Sequence, residues 1–428
     1  MMFLGTDSAP FGAMLQFMRS LPEAAREAWR GKQAAWHASA RLRHPARDLD
    51  WNEDTAAALR SEIRRLLPGK PGTDHAAARL ARNAPLCEED CIILEDVSRQ
   101  TRENNRSNIT RTAAYLACYE ECPELHWALL AHMVSRNGGY HMTDLQSGLM
   151  RNLQDETSRQ QTYRLLERSN ALIFQDAYPQ LLLYQHSRRL GRSCFHLLSH
   201  FHVSAFMTPF WERFWLEKCS SLLSTALIIN EQNYIEGRVV QHPYFHKNII
   251  SSPSFRLHDL AGLNQIVFPL GKGLGIVGRV LERFDKLDER IAFGKCLYAM
   301  LFGMDQVLDG VLKFARAVPH QGSRAEYWPG LFTAVQHESE NNTSQRCSAE
   351  LVDEEWLPEG QRLYSPKLLD VWHETPYEPL PRYDWLQNAD CLSHISTPKR
   401  PWIFEISHEH RFGILKTALA HDAQTILH

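Results

Sequence analysis

The sequence contains no run of eighteen apolar residues, so nothing in it reads as a transmembrane helix. Its most apolar stretch, residues 194–229, is cut by Glu212, Arg213, Glu217 and Lys218. A net charge of −3 over 428 residues leaves no basic field to draw the chain to nucleic acid. Cysteine is sparse and odd in number, nine residues without a dense framework, which fits free thiols in a reducing compartment. The N-terminus lacks the basic start of a secretory signal, and its apolar stretch is broken by Asp7, Ser8 and Pro10. These absences point to a cytoplasmic protein, and the membrane mode they leave is peripheral contact through an amphipathic N-terminal helix. GxSxG, Walker A and HExxH motifs and the kinase motif set are all missing. No repeat of solenoid period occurs, and no strand alternation sustains itself.

What remains is helical. Apolar spacings of three and four recur from 87 to 317, and turn signals are few. The expected fold is all-α, a large multi-helix, bundle-like domain. An N-terminal helical extension should cover 1–82, ending near Pro68-Gly69-Lys70-Pro71-Gly72. The helical core then spans 83–318. Residues 319–404 are rich in proline and tryptophan (Trp328, Trp356, Trp372, Trp385, Trp402), too aromatic for plain disorder, and read as an ordered arm laid across the helices. The tip of that arm is placed near 337–347, and a final helix over 405–428. Within the core, Pro179 should kink or break the helix around it, and Thr208-Pro209 should cap and open the next.

The most informative stretch is 104–150, where polar residues stand at positions a plain core helix would fill with apolar ones. Ser107 or Asn108 caps one helix; Pro123 opens the second and Gly138-Gly139 ends it. At 100° per residue, His126, Leu129, Leu130, Met133 and Asn137 share the core-facing side, with His132 and Arg136 at its rim. Arg106 and Arg111 lie near the positive end of the first helix, a place to hold an anion. In the later helix SSLLSTALIINEQNYIEGRVV, Asn230 interrupts the stripe of Leu223, Leu227 and Tyr234. Glu231 or Glu236 facing Arg111 or Arg136 would form a buried pair, and such pairs break even at best in stability. Buried amides and guanidiniums must find partners, in the protein or in a ligand.

Three further motifs are weaker. His196 and His200 are spaced i, i+4, with His202 following, but no third metal ligand is fixed. Cys87/Cys91 and Cys118/Cys122 would have to converge to hold zinc, and His408-Glu409-His410 reads as surface. The GxGxxG within GKGLGIVG (Gly273, Gly275, Gly278) lacks a βαβ setting and reads as a helix entry or a close helix contact.

The motifs NITRTAAYL, PELHWALLAHMVSRNGGYHMTDL, LERSNALIFQDAYPQLLLY and ALIINEQNYIEGRVV resemble the YppC-like proteins of Bacillus and relatives, a domain family of unknown function. The resemblance runs from about 95 to 317 and on through YSPKLLDVW to 385. It implies no activity, and neither the paired cysteines nor the paired histidines take a role from it.

Two readings follow. In the first, the protein binds an anionic small molecule or a lipid headgroup and acts on it by hydrolysis or group transfer. Arg106, Arg111 and Arg136 hold the anion, Asn137, Asn230 and Tyr234 position it, and His126 or His132 serves as acid–base with Glu231 orienting. No cofactor or metal is assigned. In the second, the polar stripe is architectural, and the arm is a surface for a protein partner, anchored by its tryptophans. A helical metalloenzyme using His196, His200 and a carboxylate is a third option.

Overall fold

A computed structural model of the chain describes residues 29–68, 86–147, 154–252, 265–270, 275–329, 332–335, 363–381 and 383–407. The arm tip at 337–347, Trp356, Gly273, His408–His410 and most of the expected final helix lie outside these residues. The fold is mostly α-helical, as expected. A helix over 29–42 (α1) leads into α2 (Glu53–Leu66), whose cap Asn52 accepts from Thr55 N–H and whose first turn is acidic. Ala56, Leu59 and Ile63 on α2 enter the same apolar core as the later helices, so the described part of the N-terminal region is packed into the body.

The body is built from α3 (Glu88–Asn104), α4 (Asn108–Glu121), α5 (His126–Asp144), α6 (Glu156–Leu190), α7 (Met207–Glu217), α8 (Ser220–Ile235), α9 (Leu287–Phe302) and α10 (Asp305–Ala317). Helix α4 starts as the sequence indicates. Ser107 caps it and closes a box with Thr110. Helices α5 and α8 are enclosed on nearly every side, so neither can be a two-faced amphipathic helix. That enclosure overturns the expectation that His132 and Arg136 sit at a rim: they are 2% and 0% exposed.

Local signals failed where packing outweighed them. Pro123 lies in the turn before α5, which starts at His126, and the helix continues through Gly138-Gly139 to Asp144. The glycines serve close approach instead of termination. A Cβ on Gly139 would stand 2.5 Å from Asn108 Oδ1 and 2.6 Å from His320 Nε2. Helix α6 likewise runs 35 residues through Pro179. A mid-helix proline costs roughly 3 kcal/mol, but Phe174, Ala177, Tyr178 and Leu181 to Tyr184 are all buried around it and hold the helix together. Helix α7 begins at Met207, one residue before the expected cap Thr208, and Pro209 falls in its first turn, where no N–H is required.

The described residues on either side of 271–274 are strands, not helix. Strands β1 (Gln265–Pro269) and β2 (Ile276–Val280) form an antiparallel hairpin with Val267 opposite Gly278. Residues 404–406, the first of them at the end of the expected arm and the others at the start of the expected final helix, run beside β2: Gly278 N–H donates to Phe404 O (2.8 Å) and Ile406 N–H to Ile276 O (3.0 Å). Gly278 is required because a Cβ there would meet Ile266 O at 2.2 Å.

The two adjacent glycines of α5 make a sharp comparison. Gly139→Ala should lower stability by about 1–2 kcal/mol, because overpacking against fixed polar atoms exceeds the roughly 1 kcal/mol gained in helix propensity. At Gly138 the nearest atom is the flexible Asn170 Nδ2 at 3.3 Å, so Gly138→Ala should be neutral or stabilising. Urea unfolding of both variants checks this, and equal effects would contradict the close-approach account.

Candidate functional site

The polar stripe of α4 and α5 folds into a continuous buried network. His132 Nδ1 meets Thr112 O at 2.8 Å, and the Thr112 hydroxyl donates to Ser135 Oγ at 2.7 Å. Asn108 Nδ2 donates to the Ser135 carbonyl (2.8 Å) and hydroxyl (3.0 Å), which turns Asn108 Oδ1 toward His320 Nε2 at 2.8 Å. The other nitrogen of His320 faces Glu326 Oε2 at 3.1 Å, and that oxygen also receives Arg136 Nη2 at 2.6 Å. Arg136 also donates to Val318 O (2.7 Å) and lies over the face of Phe314 (4.5 Å). Burial opposes ionisation of Glu326, but the hydrogen bond and charge of His320 and the charge of Arg136 outweigh it and hold the carboxyl at about 2. His320 and Glu326 were missed from sequence, although Ser323 and Glu326 carry the capping-box spacing and do form that box.

Each other predicted residue has a definite place. Arg111 donates to Glu167 (2.5 Å) and to Asn105 Oδ1 (3.0 Å), with both members of the ion pair buried. Neither arginine meets the carboxylates expected of it. Glu236 instead pairs with Arg290, and Glu231 accepts from Gln232 Nε2 (3.2 Å). The guanidiniums of Arg111 and Arg136 are thus already neutralised by the protein and are not open anion clamps. Arg106 is exposed, 3.6 Å from Glu374. Asn137 is saturated: its amide donates to Met133 O and Val267 O and accepts from Val267 N–H and Tyr140. It pairs with Val267 as a neighbouring strand would, and so fastens β1 to α5. Asn230 donates to Asp176 and accepts from Trp385 Nε1 at 2.9 Å. The Tyr234 ring lies 3.8 Å from the Arg238 guanidinium.

The three acid–base candidates fall in three separate networks. Burial depresses His132 to about 3 and His126 to about 4, so both rings are neutral near pH 7. His126 stacks on Phe302 at 3.9 Å and meets the Tyr298 hydroxyl at 3.1 Å. Burial without a cationic partner raises Glu231 to about 8, and burial raises Asp176 to about 7.

Of the nine predicted site residues, His126 borders a described cavity. This cleft of about 350 Å³ lies where the segment between α1 and α2 meets the starts of α5 and α8 and the end of α9. Arg47, Asp48, Asp50, Glu124, Ser220 and Tyr298 contribute to its wall. Asp50 is committed to the N-terminus of α8, accepting from Ser220 and Ser221 N–H. Glu124 is committed to Tyr184 (2.7 Å) and Arg188 (3.2 Å). The Arg47 guanidinium has no hydrogen bond or ion pair among the described residues.

Among the described residues, no group of three or more His, Cys, Asp or Glu could hold a metal. His196 meets Asp90 at 3.2 Å, whereas His200 lines a different cleft. Cys87 caps α3, and Cys118 is buried in the core. Of the arm tryptophans, Trp372 stacks on Tyr163 at 4.0 Å and donates to Met142 O, and Trp385 donates to Asn230, whereas Trp402 is 77% exposed. Among the described residues, no helix is long and apolar enough to cross a membrane.

Residues 103–400 match the family described as protein of unknown function DUF2515. The chain is also 44% identical over 232 residues to the uncharacterized protein YppC of Bacillus subtilis (strain 168), covering 54% of this chain and 72% of that one. No solved structure matches it.

The buried groups make opposing pH predictions. Glu326 is lowered on folding, so its contribution is present above the unfolded value near 4.5 and is lost as pH falls toward 2. Glu231 is raised to about 8, so the folded state keeps a proton that the unfolded chain has released, and stability falls as pH rises from about 4.5 to 8. Glu231→Gln should therefore flatten the decline over that window and be more favourable at pH 8 than at pH 5. Glu326→Gln should cost about 3–5 kcal/mol at pH 7, because it leaves Arg136 buried without its counter-charge. Chemical denaturation across pH measures both, and a Glu231→Gln profile parallel to wild type would show that this carboxyl does not titrate as described.

Proposed function

Since the chain belongs to the DUF2515 family, whose description assigns no activity, we propose from its geometry that it binds a small anionic molecule or lipid headgroup in the His126 cleft. The observation that carries this is the unpaired Arg47 guanidinium beside a cavity of about 350 Å³, a size within the usual range of ligand sites. Here Arg47 takes the role first given to Arg111 and Arg136, whose charges are spent inside the fold. His126, kept neutral by burial and held by Tyr298 and Phe302, offers a hydrogen bond and a flat apolar face to the ligand. At about 4 its basicity is weak, so the reading is of binding, with no reaction step assigned. The lining carboxylates do not compete equally for Arg47, because Asp50 and Glu124 are already engaged.

A second reading, contact with a protein partner through the arm, is favoured by Trp402, which lies exposed with Ile403 and under Arg43 at 4.5 Å. It is narrower than a tryptophan-lined arm, because Trp372 and Trp385 are turned inward.

Titration calorimetry with a panel of small phosphates and carboxylates tests the cleft. Arg47→Gln should weaken binding about tenfold or more, the equivalent of roughly 1.4 kcal/mol. His126→Gln should weaken it less, while leaving the preference for anions in place. Binding that is untouched by both substitutions would move the site elsewhere.

A further inference from the structure

A second cleft, of about 200 Å³, lies beside the long helix α6, at its proline. Its walls come from four parts of the chain: Thr101 and Arg102 of α3, Gln175 and Pro179 of α6, His200 and His202 at the end of the 3-10 turn Phe195–Phe201, and Tyr377 of the arm. At ~30 Å³ per water molecule it has room for about six, which suits a small polar ligand. We propose that this cleft binds a small oxyanion that also carries a hydroxyl group. The proposal does not rest on the His126 cleft.

Two observations specify the two halves of that ligand. The first is a free positive charge. Arg102 is exposed and has no ion pair among the described residues, whereas its neighbour Arg99 on the same helix is paired with both Asp96 and Glu103. Arg102 therefore offers its planar donor fork to an oxyanion. The imidazoles of His200 and His202 lie on the same wall, and neither they nor Arg102 brings a negative charge to it.

The second observation is a buried acceptor without a donor. Gln175 is 2% exposed, and its Nε2 donates to the carbonyl of Glu378 at 2.8 Å. A carbonyl only accepts, so the amide cannot be turned around, and Oε1 is fixed as the acceptor. Oε1 is buried and has no hydrogen-bond partner among the described residues. Such an orphan costs about 1–3 kcal/mol, and an oxyanion would repel it. A ligand that satisfies both ends must bring an O–H to Gln175 and its negative oxygens to Arg102. His202 is the left-handed C-cap of the 3-10 turn, φ 59°, and its N–H closes that turn on Leu198 O and Ser199 O. Pro179 also supplies no N–H to the carbonyl of Gln175.

The test uses matched probes on the full chain, with binding read by calorimetry and by the imidazole proton resonances of the histidines. Lactate is compared with propionate, and glycerol 3-phosphate with propyl phosphate, so each pair shares a carbon skeleton and differs in its hydroxyl groups. The stronger pair identifies a carboxylate or a phosphate. Sedimentation with phosphatidylglycerol vesicles shows whether the phosphate arrives on a lipid. The expected result is that the hydroxylated member of one pair binds about tenfold tighter than its counterpart. Arg102→Gln should abolish that binding, Gln175→Met should remove the preference for the hydroxyl while sparing the oxyanion, and Arg47→Gln should change neither. Arg102 is exposed, so its variant should melt as wild type does, and thermal melting confirms that it is folded. The proposal is overturned if no probe saturates by about 10 mM, if each pair binds equally, or if Arg102→Gln binds as wild type does.

Discussion

Arg136 is fully buried in the middle of α5, and a guanidinium cannot shed its charge by losing a proton. It must be answered by a carboxylate, and no carboxylate on α4, α5 or α8 answers it. Glu326 does, from beyond the last body helix. The requirement reaches well past one ion pair. Glu326 is placed by its own capping box with Ser323, it holds His320 against Asn108, and that contact leaves no room for a side chain at position 139. Two further arm residues repeat the arrangement. Arg324 pairs with Asp144 at the end of α5, and Trp385 completes the amide of Asn230 on α8. The polar interior of the helical body is therefore completed by the chain after residue 319, and the body without that return would hold two uncompensated buried charges, Arg136 and Asp144.

This explains which parts of the architecture could be read from the sequence. The helical class, the cap at Ser107 and the enclosure of Asn137 and Asn230 follow from short-range spacing, because propensity and phase act over one or two turns. The interpretation of Gly138-Gly139 and of Gly278 in GKGLGIVG failed for a common reason. Each was read as a local stop or entry signal, and each is governed by something distant in sequence: His320 at Gly139, and residues 404–406 alongside Gly278. The polar stripe itself was visible. Its partners were not, because Glu167 and Glu326 lie 56 and 190 positions from the arginines they neutralise.

The same logic separates architecture from binding. A buried polar group that finds its full complement inside the protein has nothing left to offer a ligand. Asn137 shows the extreme case, with both ends of its amide used to imitate a strand beside Val267. Density of polar residues along a helix therefore located the organising centre of the fold, and it did so because charge buried that deeply has to be compensated before the chain can fold at all.

The proposed binding is placed where compensation is incomplete, at the margins where separate parts of the chain meet. Arg47 stands in the link between α1 and α2, and Arg102 stands where α3 meets the arm. Both line a cavity and have no ion pair among the described residues, whereas Arg111, Arg136, Arg290 and Arg324 are each paired with a carboxylate. An exposed charge in water gains little from an ion pair, and so is not under the same pressure to find one within the chain. That leaves it available to a ligand that brings its own negative charge and is desolvated on arrival. In this fold Arg111 and Arg136, which look most functional in sequence, are spent on internal ion pairs, whereas Arg47 in a connection and Arg102 in the last turn of α3 have no ion pair among the described residues.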